Sequence, residues 1–140
     1  MLFFLILATF LPFVSSEAAA SFDVPYTSFP TGCHNFGGRL SCGNGNQVLP
    51  NAKVILWEKD PITADDKLAE VSLEKGLFKM HICATDFPTP DLELYFQFLD
   101  VCEQNEKKHS GILKENVFLE YVIYDKEKFA HSAINDNLKI

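Results

Sequence analysis

The chain has 140 residues, 47% of them hydrophobic, and a formal net charge of −7 from 19 acidic against 12 basic residues. That length suits one domain large enough to bury a core of its own. With no basic block, the charge argues against nucleic acid and against electrostatic attachment to anionic lipid, both of which need clustered Lys and Arg.

The first stretch, MLFFLILATFLPFVSS, runs apolar from Leu2 to Val14 except at Thr9 and Pro12 and ends in small residues. It is shorter than the ~20 apolar residues a spanning helix requires. Val14 and Ser16 fit the small-residue pattern of a cleavage site, so a secretory signal over residues 1–16 is expected and no transmembrane segment. Secretion gives the cysteines a meaning. Cys33, Cys42, Cys83 and Cys102 all follow the signal, and an even number in an oxidising compartment favours disulfides over free thiols. Four cysteines allow three pairings, which the spacing leaves open. There is no CxxC or HxxxH spacing, and His34, His81, His109 and His131 are scattered, so no metal or other cofactor is expected. Cys33 and His34 are adjacent, but catalysis needs geometry rather than adjacency. No Asn-x-Ser/Thr sequon occurs.

From there the alternation is that of strands. Residues 36–42 are a short one, closed by a turn of Gly and Asn at 43–46. In 52–59, Ala52, Val54 and Leu56 face one way and Lys53, Ile55, Trp57 and Lys59 the other. The segment DPITADD is an acidic loop. Its Asp60, Asp65 and Asp66 offer oxygens that calcium could use, although the spacing matches no calcium-loop pattern and a solvated loop is the expectation. Residues 68–75 and 77–83 read as two strands joined at Gly76. After the proline-rich DFPTPD, LELYFQFL has Leu92, Leu94, Phe96 and Phe98 on one face and Glu93, Tyr95, Gln97 and Leu99 on the other. Residues 116–124 alternate Val117, Leu119, Tyr121 and Ile123 with Phe118, Glu120, Val122 and Tyr124. The AHSAINDNL stretch is expected to make no more than a turn or two. Six or seven strands with turns between them point to an all-β sandwich. Trp57, Tyr95, Phe118 and Tyr124 alternate away from the aliphatic rows and are the candidate interface residues.

Several short pieces recur in order: Gly38-Arg39-Leu40-Ser41-Cys42, Asn51-Ala52-Lys53-Val54 leading into Leu56-Trp57-Glu58, Pro61, Asp65-Asp66-Lys67-Leu68-Ala69-Glu70, Gly76-Leu77-Phe78, Leu94-Tyr95-Phe96 and Asp100-Val101-Cys102. Together, from about Phe36 to about Tyr124, they resemble the nematode transthyretin-like family of secreted proteins. The resemblance implies an all-β, transthyretin-type (immunoglobulin-like) sandwich of seven to eight strands in two sheets, stapled by disulfides. It places the sandwich at 36–125, after an N-terminal extension at 17–35 and before a C-terminal tail at 126–140. It implies that Cys42 pairs with Cys102. Cys33 and Cys83 are additions to that usual pair and would join each other, since in that fold the first strand runs antiparallel beside the strand ending at Cys83.

Family members are extracellular, and some look like bridging or signalling factors, including at surfaces of dying cells. The resemblance therefore implies a secreted, non-catalytic binding module whose loops or sheet face meet an extracellular protein or a cell-surface lipid. The alternative, by analogy with vertebrate transthyretin, is an oligomeric carrier of small hydrophobic ligands. An enzyme is not expected. Related hydroxyisourate hydrolases are recognised by a terminal Tyr-Arg-Gly-Ser and by His and Arg residues that act on an anionic substrate, whereas this chain ends Asn137-Leu138-Lys139-Ile140 and has one arginine, Arg39.

Overall fold

The computed structural model describes residues 24–85 and 90–139, with 134–139 described as backbone. The expected signal, 1–16, lies outside them. Nine strands are found among the described residues: β1 (Thr27–Pro30), β2 (Gly32–Cys42), β3 (Lys53–Glu58), β4 (Asp66–Ser72), β5 (Leu77–Ala84), β6 (Asp91–Leu99), β7 (Lys107–Ser110), β8 (Val117–Ile123) and β9 (His131–Lys139). They form two sheets. In the first the order is β1-β6-β3-β4, with β7 also on β6; in the second it is β5-β2-β8-β9. All pairings are antiparallel except β2 with β8, which run parallel from Gly37 opposite Phe118 to Cys42 opposite Ile123.

The alternating rows become the two inner faces. Phe36 and Leu40 of β2, Phe78, Met80 and Ile82 of β5, and Leu119, Tyr121 and Ile123 of β8 pack against Val54 and Leu56 of β3 and Leu92, Leu94, Phe96 and Phe98 of β6. Burying each such side chain contributes about 1.5–3 kcal/mol. Four rings organise the centre. Phe78 meets Phe96 edge-on with centroids 5.3 Å apart, Phe96 meets Tyr121 at 90°, and Phe98 lies 5.1 Å from Tyr121, arrangements favoured by the ring quadrupole. The buried phenol of Tyr121 is satisfied by donating to the Ile112 carbonyl at 2.7 Å, and burial pushes its pKa up.

Gly38 occupies an inner position of β2 where a side chain has no room. A Cβ there would lie 2.6 Å from the Leu119 carbonyl oxygen and 3.0 Å from ring atoms of both Phe78 and Tyr121. Gly76, at φ +78°, turns β4 into β5, and its carbonyl accepts the Leu40 N–H at 2.8 Å. Only glycine takes that backbone conformation without cost.

Two disulfides staple the sandwich. Cys42–Cys102 joins the end of β2 to the segment after β6 and so ties one sheet to the other, with Cα atoms 5.8 Å apart. Cys33–Cys83 links opposite residues of β2 and β5 within one sheet. These are the pairs the resemblance implies. With sequence separations of 60 and 50, each contributes roughly 4 kcal/mol in the chain-entropy account.

The sandwich runs beyond the expected limits of 36 and 125. At its start, β2 begins at Gly32 and β1 precedes it; at its end, β9 pairs with β8 where a tail with a turn or two was expected. β1, β7 and β9 carry prolines, lysines, or Asn and Asp in place of the usual strand formers. They pair with strands of strong apolar alternation, β6 for β1 and β7 and β8 for β9, which supply what their own composition lacks.

Candidate functional site

The four aromatic residues expected at an interface do not form one patch. Trp57 and Tyr95 are paired neighbours on β3 and β6, on the outer face of the first sheet. Phe118 lies on the outer face of the second sheet and Tyr124 just past the end of β8. Of the four, Tyr124 is exposed, at 45%, and its ring stacks edge-on against His131. Tyr95 is 6% exposed, and Trp57 and Phe118 are half-buried.

Tyr95 is buried although it alternates outward because the acidic loop folds over it. Its hydroxyl donates to Asp65 Oδ2 at 2.5 Å. Burial first, then that hydrogen bond and the carboxylate charge, push the phenol up well above its ordinary range. Asp65 Oδ1 also accepts the Asp60 N–H at 3.0 Å. Asp60 in turn accepts the N–H groups of Ile62 and Thr63 at 2.9 and 3.1 Å and the Thr63 hydroxyl at 2.6 Å. The Thr63 hydroxyl foremost, then these backbone N–H groups, hold the Asp60 carboxyl below its usual range. Asp60 and Asp65 thus direct oxygens at the loop's own donors and at Tyr95, which accounts for the loop structurally.

Beside Tyr95 the outer face continues as a polar chain. Trp57 Nε1–H donates to Gln97 Oε1 at 2.9 Å, and Gln97 Nε2–H donates to His109 Nε2 at 3.4 Å. Burial, followed by the nearby charge of Lys107, lowers the His109 pKa, which keeps the ring neutral and able to accept.

The second sheet presents a different surface. Phe118 of β8, Gly37 of β2 and Lys79 of β5 are register partners in one row across the sheet. A groove of about 880 Å³ opens beside Phe118 and Lys79, lined also by Leu77 and Phe78, by Ser72 at the end of β4, and by Glu74 and Lys75 from the β4–β5 turn. Next along the face, Arg39 pairs with Glu120 at 3.8 Å.

Cys33 and His34 prove to be unrelated chemically. Cys33 is exposed, while His34 points into the sandwich, with Nδ1 3.0 Å from Glu115 Oε1 and Nε2 2.6 Å from the Pro30 carbonyl. It ties the β1–β2 corner to the loop before β8. The histidine that does approach sulfur is His81, whose Nε2 lies 3.6 Å from Cys83 Sγ. The two-residue spacing puts His81 and Cys83 on one face of β5, whereas Cys33 reaches them only through the β2–β5 register.

No protein-family model, curated protein sequence or solved structure matches the chain. Among the described residues, no helix is long and apolar enough to cross a membrane.

Proposed function

We propose that the protein is a secreted, non-catalytic binding module of transthyretin-like type that offers the outer face of its β5-β2-β8 sheet to an extracellular protein. The observation that carries this reading is the groove beside Phe118. It is concave, has apolar side chains in Leu77 and Phe118, and is rimmed by Lys75, Lys79 and Glu74, the mixture of apolar anchor and few polar groups that recognition sites use. The apolar leader at 1–16 and the two disulfides support an extracellular setting. The net charge of −7 favours a protein over an anionic lipid surface.

The test is saturable binding of the labelled, disulfide-intact protein to cell surfaces, with Phe118→Asp as the variant and its cooperative unfolding as the check on folding. Protease-sensitive binding that the variant loses supports the reading. Equal binding by both proteins, or binding that survives surface proteolysis, overturns it. Native mass spectrometry of the secreted protein addresses the alternative, which requires an oligomer carrying a small apolar ligand.

A further inference from the structure

Cys33 and Cys83 are directly opposite residues of β2 and β5, both exposed on the outer face of the sheet. A dissolved thiol can therefore reach their sulfurs from solvent. The other bond is shut off, since Cys42 and Cys102 are 8% and 7% exposed and belong to the core. Exchange proceeds by thiolate attack on a sulfur, and access to that sulfur favours the Cys33–Cys83 bond.

His81 stands beside the accessible one. Its Nδ1 lies 2.6 Å from Asn35 Oδ1, and Asn35 Nδ2 donates to Asn116 Oδ1 at 3.4 Å. Asn35 thus presents a carbonyl oxygen to the ring, the proton of the neutral imidazole sits on Nδ1, and the Nε2 lone pair turns toward Cys83 Sγ. The sulfurs of Cys33 and Cys83 and a ring nitrogen of His81 all lie within 4.8 Å of one another. Two thiolates and an imidazole oriented by a neighbouring carbonyl form a donor set suited to a thiophilic cation such as Zn²⁺ or Cu⁺. While the sulfurs are bonded to each other, they have no thiolate charge to give.

We propose that Cys33, His81 and Cys83 form a thiol-gated metal site, closed by the disulfide and opened to a thiophilic cation when an external dithiol reduces that bond. One thiolate of the dithiol attacks Cys33 Sγ, making a mixed disulfide and expelling Cys83 as the thiolate beside His81. The second thiolate of the dithiol then attacks its own mixed-disulfide sulfur and releases Cys33. Two electrons pass to the protein, and the dithiol leaves as its cyclic disulfide. Its two protons come to the cysteine sulfurs and are displaced when the cation binds both thiolates and Nε2, with a fourth position left for water or another donor. The strands stay together through this change, because the β2–β5 ladder runs from Gly32–Ala84 to Arg39–Leu77 and Cys42–Cys102 remains intact. This site is independent of the groove and of the function proposed above.

The test begins with mild phosphine reduction of the folded protein, alkylation and peptide mapping, in parallel with titration of the reduced protein with Co²⁺ and Zn²⁺. Alkylation is expected at Cys33 and Cys83 alone, with one equivalent of metal per chain, a sulfur-to-cobalt charge-transfer band and retained strand circular dichroism. The unreduced protein and a reduced Cys33→Ser/Cys83→Ser protein should give no such band. Asn35→Ala, which removes the group orienting the ring, should weaken Zn²⁺ binding about 10–100-fold, and His81→Ala, which removes a ligand, should weaken it more. The proposal is overturned if all four cysteines react together, if reduction unfolds the sheets, if the band is absent, or if His81→Ala binds Zn²⁺ as tightly as the native chain.

Discussion

Lys108 Nζ, on β7 of one sheet, lies 2.7 Å from the carbonyl oxygen of Tyr124, just past the end of β8 of the other. The same ammonium donates to the carbonyls of Asp125, at 3.2 Å, and Glu127. Lys108 is paired with Phe98 and is 5% exposed, so its charge is satisfied by backbone oxygens of the loop leading to β9. Lys108→Met keeps the stem and leaves those carbonyls without their donor. The expected loss is about 2–3 kcal/mol, read as a lower urea midpoint with an unchanged slope.

His109 gives the fold a pH dependence of known sign. Its pKa is lowered in the folded state by burial and by Lys107, so below the unfolded value near 6.5 the unfolded chain takes up a proton that the folded chain resists. Stability is full above that value and falls as the pH drops toward the folded pKa, where Nε2 becomes protonated and stops accepting from Gln97. Urea midpoints measured from about pH 7.5 to 5 should fall more steeply for the native chain than for His109→Gln. His34, His81 and His131 are common to both proteins and cancel in the difference.

The two disulfides should be unequal when removed. Each closes a loop of similar length, so each double substitution loses roughly 4 kcal/mol of chain-entropy stabilisation. Replacing Cys42 and Cys102 by Ala also empties buried positions in the core cluster, adding on the order of 1–2 kcal/mol. Denaturant unfolding of the two double variants is expected to rank the Cys42/Cys102 variant below the Cys33/Cys83 one.

Gly38→Ala tests the closeness of β2 and β8. The added methyl meets the Leu119 carbonyl and the rings of Phe78 and Tyr121, and over-packing of this kind costs about 1–3 kcal/mol. A thermal midpoint lower by about 4 °C or more is expected; an unchanged midpoint would mean that the strands separate freely here.

The long strands were legible because their burial is written in alternation, as Leu92, Leu94, Phe96 and Phe98 show. Tyr95 and Ile55 were not, since both alternate outward and are nonetheless buried. For Tyr95, what covers it is a loop hydrogen bond from 30 residues away, which no local period encodes. β7, read as KKHS, has too little apolar content to announce a strand, and β9 has a composition closer to a turn. The group of Cys33, His81 and Cys83 depended on register, which alternation alone does not fix between strands distant in sequence.

The shared edge of β6 bears on what an unpaired strand would meet on that side of the sandwich. β1 pairs with Thr27↔Leu94 to Pro30↔Asp91, β7 with Phe96↔Ser110 to Leu99↔Lys107, and Thr27 Oγ1–H donates to the Gly111 carbonyl at the seam. β7 is itself flanked by the segment at Phe129, through the Lys128 carbonyl and the Ala130 N–H. An incoming strand therefore meets a boundary broken into short lengths, with a proline at Pro30 that has no N–H to donate. That side of the sandwich offers little continuous edge for the strand exchange that seeds fibrils.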